Sequence, residues 1–479
     1  MSGYIDEQMD PVRTPPSTWP DVPNPLPATT PCPNFPLGCL QQNWFHNALL
    51  GGDQLRQRTA FANSQIWVIS GITITTPDAY NPYIRMLNND AFTTYDKLMK
   101  DVTLSPGMGW YLDMANSAKA ANGAIANENY ARELMQLFTL GTFLLNDNGT
   151  LKLDTSGNPI PTYDEPTIQN FARAFTGWTY KTCCGNPQTF PTSTSKADWT
   201  TSMVSVDAQH DTGSKTLLNG QVLAASRTAQ QDLDDAMANI FNHPNLPPFV
   251  SKQLIQHLVT SNPSQAYVAR ISAVFKNNGL GVRGDLKAVI KAILLDAEAR
   301  QGDSGNAPAG FGHLREPVLL MTGTLRGLGF TVNDTNLFAN GLANSGSQMG
   351  QNVLFSPSVF NYFPPDYTIP DTSVLGPEFA ILNTSSTLTR ANWIDSVVRN
   401  SLTAQGITVD VTPLRGIPPD QLTDQLGLTF MHGQMSANMR NAIISTISKL
   451  PNSTPADQDG RTRTAIYLVL TSSQYQIVQ

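Results

Sequence analysis

Charge is scarce in this chain: 14% of its 479 residues are Asp, Glu, Lys or Arg, against about 25% in an ordinary soluble protein. The surface is therefore expected to be polar but weakly charged, carried by Ser, Thr, Asn and Gln. Lys and Arg nowhere form a run, and the formal net charge is -7. With no basic footprint to neutralise phosphates, a nucleic-acid partner is excluded and an anionic membrane surface is disfavoured. No apolar stretch reaches the roughly 18 residues that a spanning helix needs. The N-terminal residues lack a basic region followed by an apolar one, so no signal peptide is visible; the sequence is either cytoplasmic or a mature or trimmed form of an exported protein. Cysteines number four, at Cys32, Cys39, Cys183 and Cys184. Their spacing is no zinc knuckle, which leaves disulfides as the preferred reading and their connectivity open.

Familiar catalytic signatures are missing too. There is no His-Glu-x-x-His, no phosphate loop, no Gly-x-Ser-x-Gly elbow and no paired-glycine dinucleotide fingerprint. Asn146-Asp147-Asn148-Gly149 resembles the start of a calcium loop, but Gly157 stands where the closing bidentate carboxylate belongs, so a plain turn is expected.

What is present is a chain long enough to bury a large core. Ten prolines from Pro11 to Pro36 predict an extended arm over residues 1–40 that wraps the body or reaches a neighbour. From 41 to 479 the pattern predicts one large, mainly α, multi-helical domain with a small β-hairpin insertion and long loops. A helix opens after Asp53, whose carboxylate suits an N-cap, with Leu55, Ala62, Ile66 and Ile69 as its apolar stripe. Another carries Tyr95, Leu98 and Met99. A third runs from Asn127 as N-cap to Gly141 as C-cap, with Tyr130, Leu134, Leu137 and Phe138 on one face. Asn-Gly between short alternating runs then predicts a hairpin, within a hairpin and loop insertion spanning about 142–225. Pro166 opens a helix through Phe175. Further helices are expected near 229–242, 247–260, 264–277, 284–298, 314–328, 377–403, 435–449 and 460–472. An aromatic loop at about 345–370 is too apolar to be exposed throughout, and loops of that length tend to cover a site.

Several of these blocks, in order, resemble the bacterial family called domain of unknown function 1800. They are Asp53-Gln54-Leu55-Arg56-Gln57-Arg58, the signature Asn127-Glu128-Asn129-Tyr130-Ala131-Arg132-Glu133-Leu134, Ala172 to Trp178, His210-Asp211 with Lys215, His243-Pro244, Arg315-Glu316-Pro317, and Ser356 to Asn361. The sequence departs from its relatives after Lys215, where they tend to place a glycine directly behind a leucine. The resemblance implies an exported protein, extracellular or periplasmic, often encoded beside a sulfatase-like partner. It implies no established activity.

Two constellations could carry chemistry. Glu128 and Arg132 lie four apart, as do Asn129 and Glu133. Either this is a helix ion pair, worth about 0.3 to 0.5 kcal/mol if exposed, or Glu128 and Glu133 present carboxylates to a shared pocket as ligands or an acid/base pair beside Arg132. The string His210-Asp211-x-x-x-Lys215 is the most chemically loaded: imidazole and carboxylate could hold a divalent metal or form a base and its orienting partner, and Lys215 could hold an anion. The alternative is a loop tied down by hydrogen bonds. His243 reads as a helix C-terminal cap, His46, His257 and His432 as packing or surface, and His313 as a weaker member of a polar cluster with Arg315 and Glu316.

Two functions are therefore expected in rank order. The first is an exported structural or binding component of an extracellular assembly or polymer-associated complex, forming homo-oligomers or assemblies through its arm. The second is an exported hydrolase or metal-assisted enzyme using Glu128, Glu133, His210, Asp211 and Lys215.

Overall fold

Helix on helix is the packing rule of this chain. The computed structural model describes residues 1–22, 36–121, 125–182, 185–191, 193–304, 310–333, 335–399 and 401–478. Among them the strands are two-residue antiparallel pairs only, and most of the interior is built by helices, with loop residues such as Trp19, Met203 and Val353 added to it. The chain is mainly α, as its periodicity predicts.

Two apolar cores form. One gathers residues from Ile5 to Ala299 around Trp67, Tyr130, Phe138, Leu254 and Phe275. The other gathers Val318, Met321, Ile394, Leu426, Ile466 and their neighbours. The helix Pro36–Leu50 joins them, because Leu37 and Leu40 point into the first and Phe45 and Leu49 into the second. Trp44 and Leu354 pack against both, so the body is a single unit.

The beginning of the expected arm is folded onto that body. Ser2–Gln8 is a helix, and Ile5, Met9, Trp19 and Val22 are buried in the first core. No proline precedes Pro11, so nothing of that kind opposes a helix over Ser2–Gln8. Asp53 explains how the segment is held. It precedes the helix Gln54–Ile66, yet its buried carboxylate accepts Ser17 N at 3.0 Å and Gln57 Nε2 at 3.0 Å instead of capping helix amides. Residues 23–35, and with them Cys32, lie outside the described residues, as do Cys183 and Cys184; Cys39 is buried and engaged.

The signature helix begins at Asn129, with Glu128 rather than Asn127 at the cap position, and then widens. Asn127 Oδ1 accepts Asn129 N at 2.9 Å, Asn129–Glu133 is α-helical, and Leu134–Thr139 winds as a π-helix, a form often found at functional sites. The hairpin follows with Asn146 N on Thr150 O at 2.8 Å, and Gly149 takes the positive φ of 77° that its turn requires. Most later helices fall where periodicity puts them. The one expected from 377 begins at Thr384, because Asn383 and Ser386 form a capping box there and Pro377–Ile381 is a 3-10 turn. Helices at Pro77–Asn89, Thr335–Gln348 and Pro419–Met431 were not expected. The first opens on a proline and holds another, Pro82; the second is rich in Asn, Gly and Ser.

Candidate functional site

The chemically loaded residues of the sequence are distributed over three places. Arg132 Nη2 donates to Glu128 Oε2 and to Glu165 Oε1, both at 2.9 Å. This is a brace, open to solvent, between the signature helix and the helix Glu165–Ala174. Glu133 points elsewhere: it is half-buried, its Oε2 has no hydrogen-bond partner, and burial raises its pKa. Burial, reinforced by the Glu133 charge, pushes Tyr111 up to about 12.

His210 and Lys215 meet at a residue the sequence did not single out, Asp232 in the first turn of the helix Ala229–Phe241. His210 Nε2 lies 3.1 Å and Lys215 Nζ 2.7 Å from Asp232 Oδ2, and none of the three side chains is exposed. Arg227 Nε takes the other oxygen at 2.6 Å. Burial alone would raise this carboxyl, but the donors from His210, Lys215 and Arg227 outweigh it and hold it at about 2. The opposite edge of the imidazole, Nδ1, lies 2.9 Å from Thr176 O. Gly177, at φ 90°, lets the chain pass so close that a Cβ there would stand 3.0 Å from the His210 Cβ. Asp211 turns away from His210 to a bidentate contact with Arg173, at 2.9 and 3.0 Å. Burial would raise Asp211 as well, but Arg173 and the Gly213 amide lower it. Every charge in this cluster is matched, with His210, Lys215 and Asp232 enclosed and Arg173 and Arg227 partly exposed at its edge; the contacts tie the insertion to the body. Among the described residues, no group of three or more His, Cys, Asp or Glu side chains could hold a metal ion.

A different polar centre lies between the two cores. Glu316, which precedes the helix Pro317–Leu328, is buried; its Oε2 accepts Gln65 Nε2 at 2.8 Å and Gln351 Nε2 at 2.5 Å. Its Oε1 has no partner. Arg58 donates to His257 O and leaves Nη1 unpartnered. Glu378 accepts Ser261 Oγ at 2.7 Å and lies 3.6 Å from His313 Nδ1. Burial raises Glu316 despite the Arg58 charge. Glu378, also buried, is nevertheless lowered, because the adjacent His313 and Ser261 outweigh desolvation. Burial depresses His257 to about 4, leaving it neutral.

This centre has an approach. Gln65, Gln256, His257 and Glu378 line a narrow cavity of about 30 Å³. It shares Leu137, Gln253, Gln256, Phe360 and Pro365 with an open cleft of about 540 Å³ between the signature segment, the hairpin and the aromatic loop. The widened π turn presents Gln136 and Leu137 to that cleft. The aromatic loop is anchored, not free: Leu354 O accepts Gly71 N at 2.7 Å and Tyr80 Oη at 3.0 Å, and Gln256 Nε2 holds Pro365 O at 2.9 Å. Blocks far apart in sequence thus converge here, including Arg58, the signature, Arg315-Glu316 and the aromatic loop.

A family model described as a protein of unknown function, DUF1800, matches residues 29–477. The chain belongs to the DUF1800 family. No curated protein and no solved structure matches it. Membership accounts for the order of the blocks, and the fold shows what this order achieves. Of the DUF1800-like blocks, Arg58, Glu316 and the aromatic loop reach the polar centre, while His210, Asp211 and Lys215 close an ion cluster elsewhere. His257 and Glu378 carried no local signal, since an isolated His in a helix and a Glu after Pro377 look ordinary. His313 was marked only by its proximity to Arg315 and Glu316.

Proposed function

We propose that the protein is a ligand-binding protein whose ligand occupies the cleft and reaches the polar centre. The observation that carries this reading is a pair of buried polar atoms with no partner, Gln65 Oε1 and Gln256 Oε1, in the wall of a narrow cavity that shares lining residues with the open cleft; Gln65 is itself bonded to Glu316. Unsatisfied buried groups are costly to a fold, and a ligand or its water would satisfy them. Apolar walls with a few convergent polar groups are the usual composition of a small-molecule site. Export, and work within an extracellular assembly or beside a sulfatase-like partner, belong to the same proposal. They draw on the low charged fraction and on the family resemblance. Disulfides among the cysteines would accompany export.

The test is a thermal-shift screen of small organic ligands on the wild-type chain and on Leu151→Trp. Leu151 is an exposed hairpin residue that lines the cleft. The bulkier side chain should fill the cleft and abolish binding while the melting temperature of the free protein stays put. Ligands that bind both proteins equally would place the site elsewhere.

A second reading, acid/base catalysis, has one specific support: two buried carboxylates, Glu316 and Glu378, are pushed in opposite directions beside a neutral His257. Such a divergence is how one site supplies both an acid and a base. Turnover of a ligand from the screen, lost in both Glu316→Gln and Glu378→Gln, would establish it.

A further inference from the structure

Lys252 stands in the helix Leu246–Leu258 and lines the open cleft. Its stem lies against Gly149 of the hairpin turn. It is largely removed from water, and among the described residues it makes neither a hydrogen bond nor an ion pair. The one charge that acts on it is Asp366, an exposed residue on the cleft's rim. Of the other lysines without an ion pair, Lys119, Lys196 and Lys287 are exposed and Lys152 and Lys181 half-buried, but none of these lines the cleft. A desolvated ammonium without a counter-ion is costly, and burial here depresses its pKa. The surrounding wall is apolar, with Leu140, Phe143, Phe249 and Phe360 facing the same space.

We infer that the cleft selects an amphipathic carboxylate, with the acid group on Lys252 and the apolar body along Phe143, Phe249 and Phe360. This rests on the proposed ligand-binding role and names its ligand class. An incoming anion would supply the missing counter-charge in a place where water competes weakly, which is where charge-assisted hydrogen bonds are strongest. The three phenylalanines supply area for the hydrocarbon, and burial of each methylene adds to affinity. A cationic amphiphile would meet Lys252 repulsively, and an alcohol of equal length would leave it unpaired.

The experiment is calorimetric titration of the full chain with dodecanoate, dodecanol and dodecylammonium, each below its micelle concentration. Dodecanoate should bind at least about tenfold more tightly than the other two. Lys252→Gln should erase that preference while leaving dodecanol binding and the melting temperature unchanged, and Lys252→Arg should retain it. Equal binding of dodecanoate and dodecanol to the wild type overturns the inference, as does a preference that survives in Lys252→Gln. If none of the three binds while other compounds are excluded by Leu151→Trp, the carboxylate assignment fails and the ligand-binding role stands. If no compound in either experiment depends on the cleft, both fail.

Discussion

Lys215 Nζ lies 2.7 Å from Asp232 Oδ2, and neither side chain is exposed. Breaking a buried pair by removing one partner leaves the other charge stranded, at a cost of about 3 to 5 kcal/mol. Asp232→Ala strands Lys215 and also unties His210 and Arg227, so it should fall in that range by urea unfolding. Lys215→Met combined with Asp232→Leu removes both charges and should cost less than Asp232→Ala alone. A loss below about 1 kcal/mol in Asp232→Ala would mean that the cluster does not hold the insertion in place.

The same carboxyl sets an acid limit. Held at about 2 in the fold, its pKa lies below the ordinary aspartate value of 3.8. A depressed folded pKa contributes stability that is fully present above the unfolded value and is lost as pH falls through the folded one. The window is therefore about pH 4 down to pH 2, and the contribution is about 2 kcal/mol. Unfolding measured across that window should be less pH-dependent in Asp232→Asn than in the wild type. Parallel curves would contradict the assignment.

Much of the fold is legible because helix periodicity and capping are local. Gly149 and Gly141 announce their turns from within a few residues. The polar centre is not legible that way, since Arg58, His257, His313, Glu316 and Glu378 come from elements brought together only by packing. Asp232 shows the same limit from the other side. An acid in the first turn of a helix is what the helix dipole favours, so nothing there reveals that His210, Lys215 and Arg227 all end on it. His210, Asp211 and Lys215, prominent in sequence, lie within one hydrogen-bonded cluster, whereas Glu378 lies in the polar centre without any local mark.

The signature's own ion pair should matter little. Arg132 is over a third exposed on its side chain where it meets Glu128 and Glu165, and such contacts are weak in water. Arg132→Ala should lower the melting temperature by no more than about 2 °C and leave binding in the cleft unchanged. Lost binding with an intact fold would restore Arg132 and Glu128 as site residues.

Glu316 and Glu378 should respond differently to the same change. Glu316 uses one oxygen to accept from Gln65 and Gln351, and its other oxygen is unpartnered. Glu316→Gln keeps the accepting oxygen and removes only a charge that burial already opposes. Its melting temperature should stay within about 2 °C of the wild type near neutral pH. Because the folded pKa of Glu316 is raised, its contribution is present below the unfolded value and declines as pH rises through the folded one. The variant lacks that decline and should therefore gain on the wild type above about pH 4. Glu378 is lowered by His313 and Ser261, so its contribution is present above the ordinary carboxylate range and is lost as pH falls. Glu378→Gln should be the more destabilised variant at neutral pH and should approach the wild type on acidification. Scanning calorimetry of both variants from about pH 4 to pH 7 separates the two. Equal losses with the same pH slope would show that the environments of these carboxyls do not differ as their contacts indicate.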